Sequence, residues 1–281
     1  PFYNELNDMP MYPYPYGAAG WLADDQALLL YDRYDIWRVD PRGRTAPQRL
    51  TAGREAQTIY RYLRSDPEAR FIDPDQPGLL RSQREGDRAE AYHFLDWATG
   101  QLSLLLEGDY ALSRRPLKAR ERNDFLFTRE SFTVFPDLLL ARDANFAKAR
   151  RISRANPQQD EYSWGTIELF EWTSLDGQPL RGLLVKPENF DPQKKYPLLV
   201  NFYERSSQGL HRHRAPYPHR STINYSYYAN RGYVIFNPDV PYRVGYPGES
   251  ALQAVTSGVT ALLNEGYIDA QRMGVQGHSW G

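Results

Sequence analysis

The most constraining feature of this chain is the pentapeptide at its end, Gly277-His278-Ser279-Trp280-Gly281, which has the spacing G-x-S-x-G. In this spacing a serine sits on a sharp turn between a strand and a helix, and the flanking glycines leave room for the crowded backbone. Three fixed positions match by chance in about one chain in ten of this length. The motif therefore indicates serine-nucleophile chemistry only if its surroundings agree.

The residues before the motif have the order that such a turn requires. Glu249 to Glu265 reads as a helix, and Gly266 suits its C-terminal stop. Arg272 to Gln276 is a short, partly apolar run that can serve as the strand entering the turn. The sequence thus predicts helix, strand and serine turn in succession.

Composition narrows the range of functions. The chain has 281 residues, a net charge of -1 and no cysteine. The charge gives no electrostatic argument for nucleic acid, and the lack of cysteine excludes disulfides, thiolate-bound zinc and a cysteine nucleophile. No apolar run approaches the roughly 20 residues of a membrane span. We predict no cofactor and no metal.

Residues 1 to about 156 have an all-β pattern. Alternating or apolar runs lead into turns that contain Asp40, Asp96 and Asp143, which lie about 50 residues apart. That spacing is typical of four-stranded propeller blades, one blade per repeat. A generic β-sandwich is the alternative.

The pattern changes near residue 156. Thr166–Ser174 and Pro179–Lys186 predict a hairpin around Asp176-Gly177. Tyr196–Tyr203 and Tyr233–Phe236 are apolar runs typical of buried strands, and a helix is predicted between them, over Ser221–Arg231. This alternation is α/β, so we expect two domains with a boundary near 155–162.

With these residues in view, the chain resembles the prolyl oligopeptidase (S9) family of serine peptidases, on the side of the dipeptidyl peptidases and acylaminoacyl peptidases. The resemblance rests on the order and spacing of five segments, most clearly over residues 161–281. They are Trp172 to Gly177, Lys186-Pro187 with Lys194 to Val200, Arg231 to Val234, Gly266 to Asp269, and Gly277 to Gly281.

The resemblance implies a fold and three site residues. It implies that residues 1–158 are the C-terminal part of a β-propeller and that residues 159–281 are the first half of an α/β-hydrolase domain. Ser279 matches the nucleophile, the backbone N–H of Trp280 matches one donor of the oxyanion hole, and the Tyr203 hydroxyl matches the other. After Tyr203 the family commonly has a Gly-Gly-Pro-like turn, whereas this chain has Glu204-Arg205-Ser206-Ser207.

The proton acceptor for Ser279 is expected outside this sequence. In α/β-hydrolases the triad residues follow the chain order Ser, then Asp or Glu, then His. All five histidines of this sequence (93, 211, 213, 219 and 278) come before Ser279. We therefore expect the triad Asp and His beyond residue 281, on the same protein or a separate chain, and expect residues 1–281 alone to be inactive.

Two basic segments have less specific interpretations. His211 to Arg214 with His219-Arg220 is rich in His and Arg, but no acidic ligand is interleaved. A loop over the active-site entrance is therefore favoured over a metal site, and a solvated basic loop is the default interpretation. Arg243, beside Gly245 to Gly248, is interpreted as structural.

The leading functional hypothesis is a serine peptidase that hydrolyses oligopeptides through an acyl-enzyme on Ser279. Two alternatives stay open: a serine esterase on the same fold, and a non-catalytic protein that binds partners through a propeller. The sequence does not fix the oligomeric state. A periplasmic or secreted location is favoured over a cytoplasmic one, which also stays open.

Overall fold

The computed structural model describes residues 1–219, 221 and 223–281. It divides into two compact units. Unit 1 consists of Pro1–Asn7, Met11–Glu130 and Pro136–Ala155, and unit 2 of Asp8–Pro10, Ser131–Phe135 and Asn156–Gly281. Within the described ranges, no helix combines the length and apolar character needed to cross a membrane.

Two antiparallel four-stranded sheets begin unit 1, and each has its strands in chain order. The first contains β1 to β4 (Ala18–Trp21, Leu28–Tyr31, Ile36–Val39 and Gln48–Arg49). The second contains β5 to β8 (Thr58–Tyr62, Gly78–Arg84, Glu90–Leu95 and Leu102–Gly108). A short helix, α1 (Gly53–Ala56), precedes the second sheet.

A third sheet completes this series. Its strands are β9 to β13 (Ala111–Leu112, Leu117–Lys118, Phe125–Ser131, Val134–Ala141 and Arg150–Arg151). The order is β10-β11-β12-β13, with β9 paired to β11. The 3-10 helices among the described residues are Ala23–Asp25, Arg142–Ala144, Phe146–Lys148, Pro157–Glu161 and Ser207–Gly209.

The second sheet contributes one face to each of two cores. Leu80 and Leu95 belong to a core shared with the first sheet, whereas Leu79 and Tyr92 belong to a core shared with the third. Since neighbouring residues of a strand point to opposite faces, the second sheet is sandwiched between the other two. The all-β expectation for this part is confirmed, while closure into a propeller stays a prediction.

The three aspartates that suggested the repeat occupy equivalent places. Asp40, Asp96 and Asp143 follow β3, β7 and β12, each of which is third in the strand order of its sheet once the side strand β9 is left aside. The Asp40 and Asp96 carboxylates accept backbone N–H groups two residues further on, at 3.0 Å in both cases, as in Asx-turns. Asp143 instead lies in a 3-10 helix with φ 49°, so its turn differs.

Unit 2 is built on one five-stranded sheet of order β14-β15-β17-β16-β18. Its strands are Thr166–Thr173, Pro179–Lys186, Tyr196–Asn201, Val234–Pro238 and Ile268–Gln276, numbered β14 to β18 along the chain. β14 and β15 form the predicted hairpin, with Gly177 at φ 84° in its turn. β16 pairs in parallel with both β17 and β18.

Two helices accompany this sheet. The predicted helix over Ser221–Arg231 is wrong in its first turn: α2 is Tyr225–Ala229, because the Asn224 side chain accepts the N–H of Tyr227 and caps the helix there. Thr222 and the neighbouring Arg220 lie outside the described residues. The later helix, α3 (Pro247–Asn264), agrees with its prediction, and Gly266 follows it at φ 85°.

Small residues bring α3 close to the sheet. The Trp172 indole N–H donates to the Ser257 hydroxyl at 3.0 Å. A Cβ added at Gly258 would lie 2.8 Å from the Phe236 ring and 3.0 Å from Trp172, closer than real Cβ contacts allow. Glycine at 258 therefore permits this helix to pack directly on two aromatic rings.

Gly78 provides a test of packing in unit 1. A Cβ added there would overlap the Trp97 ring, which is almost completely buried. We expect Gly78→Ala to lower the free energy of unfolding by about 1–3 kcal/mol, as overpacking does. Gly86→Ala, in the exposed turn of the same hairpin with no atom within 4 Å, should change it by less than about 0.5 kcal/mol. Urea denaturation of the two variants measures both values, and equal midpoints would contradict the argument.

Candidate active site

Three parallel strands end side by side in unit 2. The pairing of β16 with β18 runs through Val200 with Val275 to Asn201 with Gln276, and β16 also pairs with β17. The Asn201 side chain donates to the Gln276 carbonyl at 3.1 Å, which joins the two strand ends. Since ligands of such sheets bind outside the carboxyl ends of the strands, this edge is the candidate site.

The loops that leave this edge carry the predicted site residues. Tyr203 follows β16, and Ser279 and Trp280 follow β18. A further tyrosine, Tyr242, follows β17. The topology therefore brings to one edge residues that are far apart in the sequence.

The Ser279 turn has strained backbone. Ser279 has φ 57°, the left-handed region that non-glycine residues rarely adopt. Such strain persists only where the surrounding structure enforces it, and it is concentrated at functional sites. The Gly281 N–H donates to the His278 carbonyl at 3.0 Å and closes the turn.

The backbone around the turn is too crowded for side chains at either glycine. A Cβ on Gly277 would overlap the backbone of Gly281, and a Cβ on Gly281 would overlap the carbonyl oxygen of Phe202. The contact between Gly281 and Phe202 places the Ser279 turn directly against the residue that precedes Tyr203. Both glycines of the motif are thus explained by close approach of backbone.

Tyr203 and Trp280 are each partly open to solvent. Their exposed fractions are 46% and 43%. Tyr242 contacts both: its hydroxyl donates to the Tyr203 carbonyl at 2.6 Å, and its ring lies 5.0 Å from the Trp280 ring at an interplanar angle of 63°. The structure therefore connects the two residues through a third.

The loop after Tyr203 is held by Asp239, a buried carboxylate. It accepts the backbone N–H of Ser206 and that of Ser207, the latter at 2.9 Å, and the Ser207 hydroxyl donates to it as well. The Val240 N–H donates to the Glu204 carbonyl at 3.0 Å. This segment has no Gly-Gly-Pro turn, and its shape comes from these bonds.

Sequence reasoning missed Asp239 and Tyr242. The signal for Asp239 is an acidic residue directly after a fully buried strand, since β17 is buried along its length. Such a carboxylate must find donors, and it finds them in backbone N–H groups of the neighbouring loop. Tyr242 has no comparable signal in the sequence.

The histidines do not serve Ser279 here. None of the described residues forms a hydrogen bond with the Ser279 hydroxyl, and the adjacent His278 is exposed. In unit 1, burial lowers the pKa of His93, whose Nε2 lies 2.9 Å from the Ser82 hydroxyl.

The interpretation of the His-rich segment as a solvated loop is wrong for residues 211–214, which are half-buried. The His213 ring lies 5.0 Å from that of Trp164, and the Arg214 guanidinium lies 4.7 Å from the Tyr225 ring centroid. Aromatic packing holds this segment. Across the described ranges, no group of three or more His, Asp or Glu side chains could hold a metal ion.

This fold resembles solved peptidases of the dipeptidyl and acylaminoacyl classes. A putative dipeptidyl aminopeptidase IV from Bacteroides ovatus superposes with a TM-score of 0.62 at 17% identity, over 91% of this chain and 40% of that one. Porphyromonas gingivalis dipeptidyl peptidase 4 gives 0.64 at 20%, over 93% and 37%. Pyrococcus horikoshii acylaminoacyl peptidase gives 0.57 at 18%, over 92% and 40%.

A sequence relative points to the same class. The probable dipeptidyl-aminopeptidase B of Penicillium rubens is 30% identical over 129 residues, which cover 41% of this chain and 13% of that protein. No family model matches the chain. The chain spans a small part of this curated relative and about two fifths of the solved structures. The predicted resemblance to S9 peptidases of the dipeptidyl-peptidase and acylaminoacyl-peptidase branch is confirmed.

The crowding of backbone at the Ser279 turn is directly testable. Gly277→Ala should lower the free energy of unfolding by about 1–3 kcal/mol, because the new methyl group must displace backbone. Gly274→Ala is the matched control on β18, since its Cβ would meet only Leu199 at 3.7 Å, an ordinary contact. Thermal unfolding of the complete protein measures both. Equal melting temperatures for the two variants would show that the turn is not crowded.

Proposed function

We propose that this chain is part of a serine peptidase that hydrolyses oligopeptides through an acyl-enzyme on Ser279. The observation that carries the proposal is the strained turn at Ser279, at the carboxyl end of a parallel strand and against the segment that leads to Tyr203. The similarity to dipeptidyl and acylaminoacyl peptidases supports the peptidase class.

We also propose the architecture that goes with this function. The stacked sheets of unit 1 are blades of a β-propeller, and unit 2 is the first half of an α/β-hydrolase domain. The equivalent positions of Asp40, Asp96 and Asp143 support the blades. Parallel strands ending at a serine turn support the hydrolase half.

In the proposed reaction, the Ser279 hydroxyl oxygen attacks the scissile carbonyl carbon while a histidine from beyond residue 281 takes its proton. The carbonyl oxygen becomes an oxyanion and accepts hydrogen bonds from the Trp280 N–H and the Tyr203 hydroxyl. The C–N bond then breaks, the amine leaves with the proton, and water hydrolyses the ester that remains on Ser279.

Replacing the nucleophile is the first test. Ser279→Ala in the complete protein should lower kcat about 10⁴-fold or more, as loss of a triad member does. Turnover of a peptide amide and its matched ester measures this, and a fluorophosphonate should label the wild-type protein at Ser279. Ser163→Ala, an exposed serine of the same unit, is the control. Labelling elsewhere with Ser279 unmodified would refute the proposal, and turnover of the ester alone would favour an esterase.

The Tyr203 hydroxyl is the second test. Tyr203→Phe should lower kcat about 10²–10³-fold with little change in KM, because this contact strengthens only in the transition state. Tyr227→Phe removes a hydroxyl from a tyrosine of similar overall exposure, 47%, and should leave both constants unchanged. A fall in kcat/KM that arises from KM alone would assign Tyr203 to substrate binding instead.

A further inference from the structure

Tyr242 contacts both residues of the proposed oxyanion hole, at groups other than the two donors themselves. Its hydroxyl donates to the Tyr203 carbonyl at 2.6 Å, and its ring packs edge-on against the Trp280 ring at 5.0 Å. Only 8% of Tyr242 is exposed, so the position of Tyr242 is fixed by the protein around it.

Tyr203 and Trp280 need such support. With 46% and 43% of their surfaces exposed, these side chains have less surrounding protein to hold them than buried ones. A hydrogen bond to the Tyr203 carbonyl fixes the peptide plane after Tyr203, and with it the direction in which the Tyr203 side chain leaves the backbone. Since a misplacement of about 1 Å can cost about 10² in rate, this orientation matters to the proposed chemistry.

The neighbouring bonds extend the same support along the loop. The Val240 N–H holds the Glu204 carbonyl at 3.0 Å, and Asp239 holds the Ser206 and Ser207 N–H groups. The segment after β17 thus holds the segment after β16 by backbone groups from Tyr203 to Ser207. Tyr242 provides the bond to Tyr203 itself.

The surroundings of the Tyr242 hydroxyl favour its protonated form, which can donate a hydrogen bond. Burial is the main reason that its pKa is raised to about 12, and the negative charges of Glu204 and Asp8 raise it further. The hydroxyl is therefore protonated at neutral pH and can donate to the Tyr203 carbonyl.

We infer that Tyr242 is a positioning residue for the oxyanion hole: its hydroxyl orients Tyr203 through the backbone, and its ring holds the Trp280 turn. This inference rests on the proposed function of Ser279. It assigns separate tasks to the hydroxyl and to the ring, so variants that remove one or both separate them.

The hydroxyl is tested by Tyr242→Phe in the complete protein, with a fluorophosphonate as probe. We expect kinact for modification of Ser279 to fall about 10- to 100-fold while KI changes less than twofold, because orientation and not binding is lost. Tyr196→Phe is the matched control. Tyr196 is also 8% exposed, and its hydroxyl accepts the Asp191 N–H at 2.8 Å at the opposite end of β16. It should leave kinact unchanged.

The route of action is tested by combining variants. If the hydroxyl acts through Tyr203, then Tyr203→Phe with Tyr242→Phe should be no slower than Tyr203→Phe alone, a fully non-additive pair. Tyr242→Leu removes the ring as well. It should lower kinact further even in the Tyr203→Phe background, because the Trp280 turn loses its contact.

The outcomes are distinguishable from those of the proposed function. Fluorophosphonate that does not modify Ser279 in the wild-type protein overturns both proposals. Modification of Ser279 with an unchanged kinact in Tyr242→Phe, or with fully additive losses in the double variant, overturns this inference alone. The Phe variants keep the ring in place, and melting temperatures equal to that of Tyr196→Phe establish that their fold is retained.

Discussion

The candidate site depends on the parallel pairing of β17, β16 and β18. Because these strands run in one direction, their carboxyl ends lie together, and three loops distant in sequence meet at one sheet edge. The Asp239 carboxylate and the Tyr242 hydroxyl then join two of these loops, and the backbone of Gly281 meets Phe202 to bring in the third. If the strands alternated in direction, as in the β14–β15 hairpin, these residues would lie at opposite ends of the sheet.

Much of the fold of unit 2 follows from local patterns. The hairpin around Gly177, the buried strands and the stop at Gly266 are predicted because turn chemistry and apolar runs act within a few residues. The predicted start of α2 is wrong because a single side-chain hydrogen bond, the Asn224 cap, sets where the helix begins. The close packing of α3 through Gly258 was not predictable, because its partners Trp172 and Phe236 lie far away in the sequence.

The residues of the candidate site also divide into those that the sequence predicts and those that it does not. Ser279 and Trp280 belong to one short motif, so the sequence identifies them, and Tyr203 was reached through a resemblance that spans many positions. Asp239 and Tyr242 were missed because each acts across loops rather than along the chain. In unit 1 the Glu90 carboxylate behaves similarly: it pairs with Arg81 within one sheet and accepts the N–H of Leu112 at 2.6 Å in the next. Buried polar groups of this kind are fixed by tertiary structure.

The packing of Gly258 links it to Phe236 and Trp172, which lie far away in the sequence. Helix α3 continues through Gly266 directly into β18, the strand that ends at Ser279. The volume available at 258 is set by the rings of Phe236 and Trp172, so the three positions share one space. A larger residue at 258 fits with α3 at the same distance from the sheet only if Phe236 or Trp172 is replaced by a smaller residue. The residue at any one of these three positions therefore limits which residues the other two can accommodate, although none of them lies at the sheet edge that carries the serine.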